Sequence, residues 1–272
     1  MFHPSTKCGW SAFVLVLFAC CVLLQPTSAP AESVSVRYPE GLTHGFLALR
    51  TLEGKTLAEG DLTQVVRGNR VTMRVLFHFK DGSVHDETTV FSQARIFRLL
   101  TEHLIQKGPA FEHPIDVLID GPTGNVTVHT TDHDGKEKVE TEHIDLPSDV
   151  ANGLIFTLLK NLGPQNAETK LAMVATTPKA RLVKLAITRQ DAEPFSIGDS
   201  SRKVTHYVVK IEIGGAAGLV APLLGKQPPD IHVWILGGDA PVFVKSEGPL
   251  FYGGPVWRIE LVSPFCRESD LK

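Results

Sequence analysis

Between Phe46 and Phe91 four apolar runs rich in Val, Leu, Thr and Phe are separated by short turns at Glu53-Gly54, Arg67-Gly68-Asn69 and Asp81-Gly82. Each turn offers a Gly or Asn for the positive φ that a tight hairpin needs, so the stretch predicts a four-stranded antiparallel meander. With Asp81-Gly82 as a two-residue turn, Phe79 pairs with Val84, Phe77 with Asp86, Val75 with Thr88 and Met73 with Val90, all on the core side. Thr72, Arg74, His78, His85, Glu87 and Thr89 then share the opposite, wet side.

The pattern continues in both directions. Val34, Val36 and Tyr38 alternate with polar residues as a first strand would, and Ile115–Asp120, Asn125–Thr131 and Lys136–His143 read as strands farther on. From Gln93 to Lys107 the reading is a long strand stopped by Gly108-Pro109, although Ile96, Leu99, Leu100, His103 and Leu104 also fit one helical face. Residues 148–162 predict a helix with Ser148 as N-cap, Gly163-Pro164 as stop and an apolar stripe that includes Leu154 and Leu158. Asn152-Gly153 inside it costs about 1 kcal/mol of helix propensity, which suggests a close approach of helix and strand. A second group of strands is expected at Thr169–Ala175, Arg181–Thr188, Pro194–Ile197, Lys203–Ile213, Ile231–Leu236, Pro241–Ser246 and Val256–Val262. The segment Gly214–Leu224 reads as a short buried helix or a mobile apolar lip. The expected fold class is mainly β: a large curved antiparallel meander, half-barrel or open barrel, with one amphipathic covering helix and a short second helix.

Composition is ordinary for a globular chain of 272 residues, with 43% hydrophobic and 21% charged residues, enough for a sizeable core. Lys7, the apolar run from Trp10 to Leu24 and Ala29-Pro30-Ala31 fit a secretory signal over residues 1–31, leaving 32–272 as a single β-rich domain. The run is short of the ~20 residues a membrane span needs. Leu17-Phe18-Ala19-Cys20 offers a lipid anchor at Cys20 as the minority alternative. Cleavage would remove Cys8, Cys20 and Cys21, so that Cys266 has no intrachain partner. The expected location is periplasmic or secreted. Net charge of −3, becoming −4 without Lys7, gives no basic footprint for nucleic acid.

Chemical motifs are sparse. No Gly-x-Ser-x-Gly or His-Glu-x-x-His occurs, and Ser200-Ser201-Arg202-Lys203 matches Ser-x-x-Lys in a polar turn rather than at a helix start. His129 and His133, near Asp132 and Asp134, fit the polar face of a ribbon, and Asn125-Val126-Thr127 is a sequon. His78, His85 and Glu87 form a better two-His-one-carboxylate set, the basis of a runner-up reading as a metal-dependent or other hydrolase. No cofactor is expected. The leading reading is a non-catalytic protein that binds an apolar or lipidic ligand, or an envelope partner, in the hollow of the sheet, lined by Phe77, Phe79, Leu154, Leu158, Trp234 and Trp257. The plainer account of the same residues is core, and a structural assembly subunit is a further alternative.

The segments Gly225-Lys226-Gln227-Pro228-Pro229-Asp230, Val233-Trp234, Phe243-Val244-Lys245-Ser246-Glu247-Gly248 and Gly253-Gly254-Pro255-Val256-Trp257-Arg258-Ile259-Glu260-Leu261 resemble an uncharacterised family of secreted bacterial β-rich proteins. That family brings no assigned activity. In architecture alone, signal, meander and apolar helix are similar to the half-barrel lipoprotein carriers of the bacterial envelope. This second resemblance implies a curved sheet and covering helices around acyl chains.

Overall fold

The structure, a computed structural model, describes residues 33–131, 135–165, 167–176, 179–197, 200–213 and 227–263. Eight strands follow one another as a meander: β1 (Thr43–Thr51), β2 (Thr56–Arg67), β3 (Arg70–Phe79), β4 (Val84–Gln93), β5 (Phe97–Lys107), β6 (Ile115–Asp120), β7 (Asn125–Thr131) and β8 (Glu137–His143). Six more make a second: β9 (Glu168–Ala175), β10 (Arg181–Ile197), β11 (Ser200–Glu212), β12 (Ile231–Leu236), β13 (Val242–Pro249) and β14 (Val256–Val262). All fourteen belong to one antiparallel sheet, in the order β8-β7-β6-β5-β4-β3-β2-β1-β14-β13-β12-β11-β10-β9. The first and last strands pair at its centre, Leu47 against Leu261 and Leu49 against Ile259. The edges are then β8 and β9, which follow each other in sequence. This is the order of an up-and-down barrel left open at one seam, the curved, mainly β architecture expected.

Alternation decides what faces inward. Val71, Met73, Phe77 and Phe79 of β3 enter the main core, as do Val117 and Ile119 of β6, Val126 and Val128 of β7, Leu185 and Ile187 of β10, and Val233 and Ile235 of β12. Their burial is what gives the sheet its inner side, at about 25 cal/mol for each Å² of apolar surface removed from water.

The β3–β4 register differs from the sequence expectation by one residue. Phe79 N–H donates to the Ser83 carbonyl at 2.9 Å, so the loop is Lys80-Asp81-Gly82 with Gly82 at φ 86°. Phe77 therefore pairs with His85, Val75 with Glu87 and Met73 with Thr89. A one-residue slip exchanges the faces of a whole strand. His85, Glu87 and Thr89 consequently lie inside, whereas Asp86 lies outside and accepts two hydrogen bonds from Arg74, at 2.8 and 2.7 Å.

The expected helix over 148–162 is shorter, α1 (Ile155–Asn161). Gly153 takes φ 60°, and the residues before it run along the edge of β9, with Val150 in a parallel bridge to Ala172. Ala151 N–H donates to the Ala172 carbonyl at 2.8 Å. Asn152 completes the clasp, its Nδ2 donating to the Val174 carbonyl at 3.0 Å while its Oδ1 accepts from Val174 N–H at 2.6 Å. These bonds satisfy backbone groups that an edge strand would leave open. From there α1 crosses the inner side and brings Phe156 to 4.5 Å from Phe243 of β13.

Smaller differences have similar causes. The strand expected at Val34–Tyr38 is a single bridge, Ser35 to Ile96, and the strands expected at 181–188 and 194–197 are one, β10, with a register shift between Arg189 and Ala192. Of residues 93–107, Phe97–Lys107 form the strand β5 and none is helical. The second helix expected at Gly214–Leu224 lies outside the described residues, as do the segment assigned to a signal, Cys20 and Cys266. Among the described residues no helix is long and apolar enough to cross a membrane.

Candidate functional site

The inner side is mainly apolar, and a polar centre lies on β4 and β5. Thr89 pairs directly with Glu102 and His85 with Gln106, and Glu87 sits diagonally between them, opposite Leu104. Side chains on one face at such positions are within reach of each other. Gln106 Nε2 donates to His85 Nδ1 at 3.1 Å and to the Leu250 carbonyl at 3.0 Å. With Nδ1 accepting, the ring proton sits on Nε2, which stands 3.8 Å from a Glu87 carboxylate oxygen.

The two glutamates are joined by a hydrogen bond, and Asn152 donates to Glu102 from the clasp on β9. Burial pushes the Glu102 carboxyl well above the usual range; the Glu87 charge and the hydrogen bond between them push it the same way, against the opposing bond from Asn152. Burial by itself would also raise Glu87, but the His85 ring and the hydrogen bond with Glu102 outweigh it and hold Glu87 below the ordinary range. Glu102 keeps the proton, then, and Glu87 the charge. Glu102 is 4% exposed and Thr89 is 1% exposed, and neither Glu102 Oε2 nor Thr89 Oγ1 has a hydrogen-bond partner. Glu87 differs from both, with 23% of its side chain accessible.

This assignment has a measurable consequence. A carboxyl whose folded pKa is raised contributes stability that is present below its unfolded value, 4.5, and lost as pH rises through the folded value. Glu102→Gln keeps the shape and removes the titration. Thermal melts from pH ~4 to ~9 will show the variant gaining on the parent as pH rises, and matching it near the acid end. A melting difference that is constant across the range would mean that Glu102 ionises freely.

The open seam supplies an approach to this side. A cleft of about 280 Å³ lies there, floored by Ile115, Val128 and Thr130 and rimmed by Glu140, Glu142 and Lys179. Ile115 and Val128 belong to the same cross-strand rows as Gln106 and Glu87: Gln106 pairs with Ile115, and Leu104, opposite Glu87, continues through Val117 to Val128. In the Glu87 row Leu62, Val75 and Leu104 face inward yet stay partly accessible, as do Trp257 and Ile259 on the second arm.

The residues named from sequence fall on both faces. Phe77, Phe79, Leu154 and Leu158 are buried in the main cluster, and Trp257 packs against Phe79 and Phe251 at 5.7 and 5.8 Å. Trp234 is on the outer side in a separate cluster with Val204 and Val244. Its ring stacks on His206 at 4.4 Å, and its Nε1 donates to Glu193 at 3.0 Å. The set His78, His85 and Glu87 does not converge, because His78 is exposed on the outer face while the other two are inside. No group of three metal-ligating side chains is found among the described residues. Ser200–Lys203 runs within β11, His129 is exposed, and Asp132, His133 and Asp134 lie outside the described residues. Glu102 and Gln106 are members of the centre that the sequence reading did not single out, and Asn152 was named there only, with Gly153, as a point of close approach between helix and strand.

No protein-family model matches the chain, and no curated protein does. Among solved structures it is similar to the crystal structure of a β-barrel-like protein of the domain of unknown function DUF1849 from Brucella abortus, with 10% identity and a TM-score of 0.45. The match covers 83% of this chain and 98% of that one.

Proposed function

We propose that this chain is a non-catalytic binding protein, periplasmic or secreted, that takes an apolar ligand into the hollow of its open barrel. The observation that carries the reading is the band of inward apolar side chains left partly accessible, Leu62, Val75, Leu104, Trp257 and Ile259. A barrel closed over a filled interior would bury such residues; one that receives a ligand leaves them surface to cover. The cleft at the β8–β9 seam, with its apolar floor, is the mouth in this reading.

The test is a titration of delipidated protein with 1-anilinonaphthalene-8-sulfonate, then displacement of the dye by dodecanol. The expected result is one saturable site, with binding at least tenfold weaker in Thr130→Trp, whose indole fills the cleft, while circular dichroism shows the fold retained. Failure of the folded protein to bind either compound would overturn the proposal.

A further inference from the structure

The polar centre is odd for a hollow that receives only hydrocarbon. Burying ionisable groups is costly unless they are paired, and here the pairing is incomplete: Glu102 Oε2 and Thr89 Oγ1, side by side on the inner face, are among the buried polar atoms that lack hydrogen-bond partners. The centre combines acceptors without enough donors. Gln106 spends its amide protons on His85 and Leu250, and Asn152 spends one on β9. Glu87 keeps 23% of its side chain accessible on the inner side, among Val75, Leu104 and Val117.

Resting on the proposal that the hollow takes an apolar ligand, we infer that the ligand is an amphiphile whose head donates hydrogen bonds and carries no negative charge, and that this head is received at Glu87. The charge balance argues for it. Neither a lysine nor an arginine stands among the side chains named in the centre, so an anionic head beside Glu87 would place like charges together in a medium of low dielectric. An ammonium or hydroxyl head instead gives Glu87, the accessible member of the centre, a donor.

The tail has a matching path. Leu104, Val117 and Val128 lie side by side on β5, β6 and β7, so the way from Glu87 to the cleft floor crosses three strand spacings. At roughly 4.8 Å each this is about 14 Å along the sheet, and less across its concave side. An alkyl tail following that row starts on the partly accessible Leu104 and has to part the packing over Val117, 1% exposed, before it emerges at the seam, where Glu140 and Glu142 also disfavour an anion.

The experiment compares three probes of one tail length, dodecylamine, dodecanol and laurate, by calorimetry below their micellar concentrations. The protein is the parent, Glu87→Gln or Glu102→Gln. The expected result is that the parent binds the amine at least tenfold more tightly than laurate, that Glu87→Gln abolishes this preference and that Glu102→Gln keeps it. Equal binding of amine and laurate by the parent overturns the head site and leaves the apolar-ligand proposal standing, and so does an unchanged preference in Glu87→Gln. Absence of binding for all three overturns both. If Glu87→Gln does not fold, the amine-to-laurate ratio of the parent decides the matter.

Discussion

Replacing Gly153 by Ala will destabilise the protein by about 2–5 kcal/mol, adding a left-handed backbone cost of about 1–2 kcal/mol to an overpacking cost of about 1–3 kcal/mol. Gly153 adopts φ 60°, and a Cβ there would fall inside contact distance of Thr89 Oγ1 and stand 3.0 Å from Thr89 Cβ and Cγ2. Thr89 is 1% exposed and belongs to the central strand β4, so it has nowhere to retreat. The two contributions can be separated. Thr89→Ala removes Oγ1, which has no partner, and Cγ2, and opens the space a new methyl needs. In the double variant Gly153→Ala/Thr89→Ala the overpacking part should return, leaving only the backbone cost. Urea denaturation of the four proteins measures this coupling directly. Additive effects would show that the loop before α1 does not rest on Thr89.

That contact also explains why the fold was legible in the sequence and the polar centre was not. Strands and turns follow from local alternation and from Gly positions, and they are recovered closely at Ile231–Leu236 and Val256–Val262. The inner face of β4 depends on one residue of loop length. Counting apolar residues favours the two-residue turn, because it buries one acid, Asp86, where the real register buries His85, Glu87 and Thr89. The decisive details are that Gly82 supplies φ 86° as the third loop residue and that Asp81 Oδ1 accepts from Ser83 N–H at 2.9 Å. Arg74 and Asp86, diagonal neighbours on the outer side, were the available clue to the true register.

β5 hides its contribution for a different reason. A bulge skips Leu100, so that the inward residues are Phe97 and Leu99 on one side of it and Glu102, Leu104 and Gln106 on the other. Shifting the phase of a strand in this way spaces its apolar positions as a helix would, and Glu102 and Gln106 read as ordinary polar positions. The apolar stripe at 150–162 misleads in the opposite sense. Val150, Ala151 and Leu154 are buried without being in the helix, because the chain there lies against β9 and the inner face.

Asn152 is where the two arms of the barrel are held, and Asn152→Ala will cost about 2–4 kcal/mol. Its amide stands in for a strand, occupying both the N–H and the carbonyl of Val174, and a methyl would leave both groups without a partner at about 1–3 kcal/mol each, less what water recovers at an edge. Alanine also withdraws the donor that Asn152 offers Glu102. Asn152→Asp is the sharper variant, for it keeps the acceptor for Val174 N–H but turns a carboxylate oxygen toward the Val174 carbonyl and toward Glu102. It should destabilise at least as much as alanine at neutral pH and recover as the introduced acid is protonated. Amide exchange at Val174 and Ala172 reports the seam itself. In Asn152→Ala both amides should exchange by local opening, well ahead of Val209 in the interior of β11, whereas exchange that stays at the global rate would place the closure of the seam in the Val150–Ala172 bridge alone.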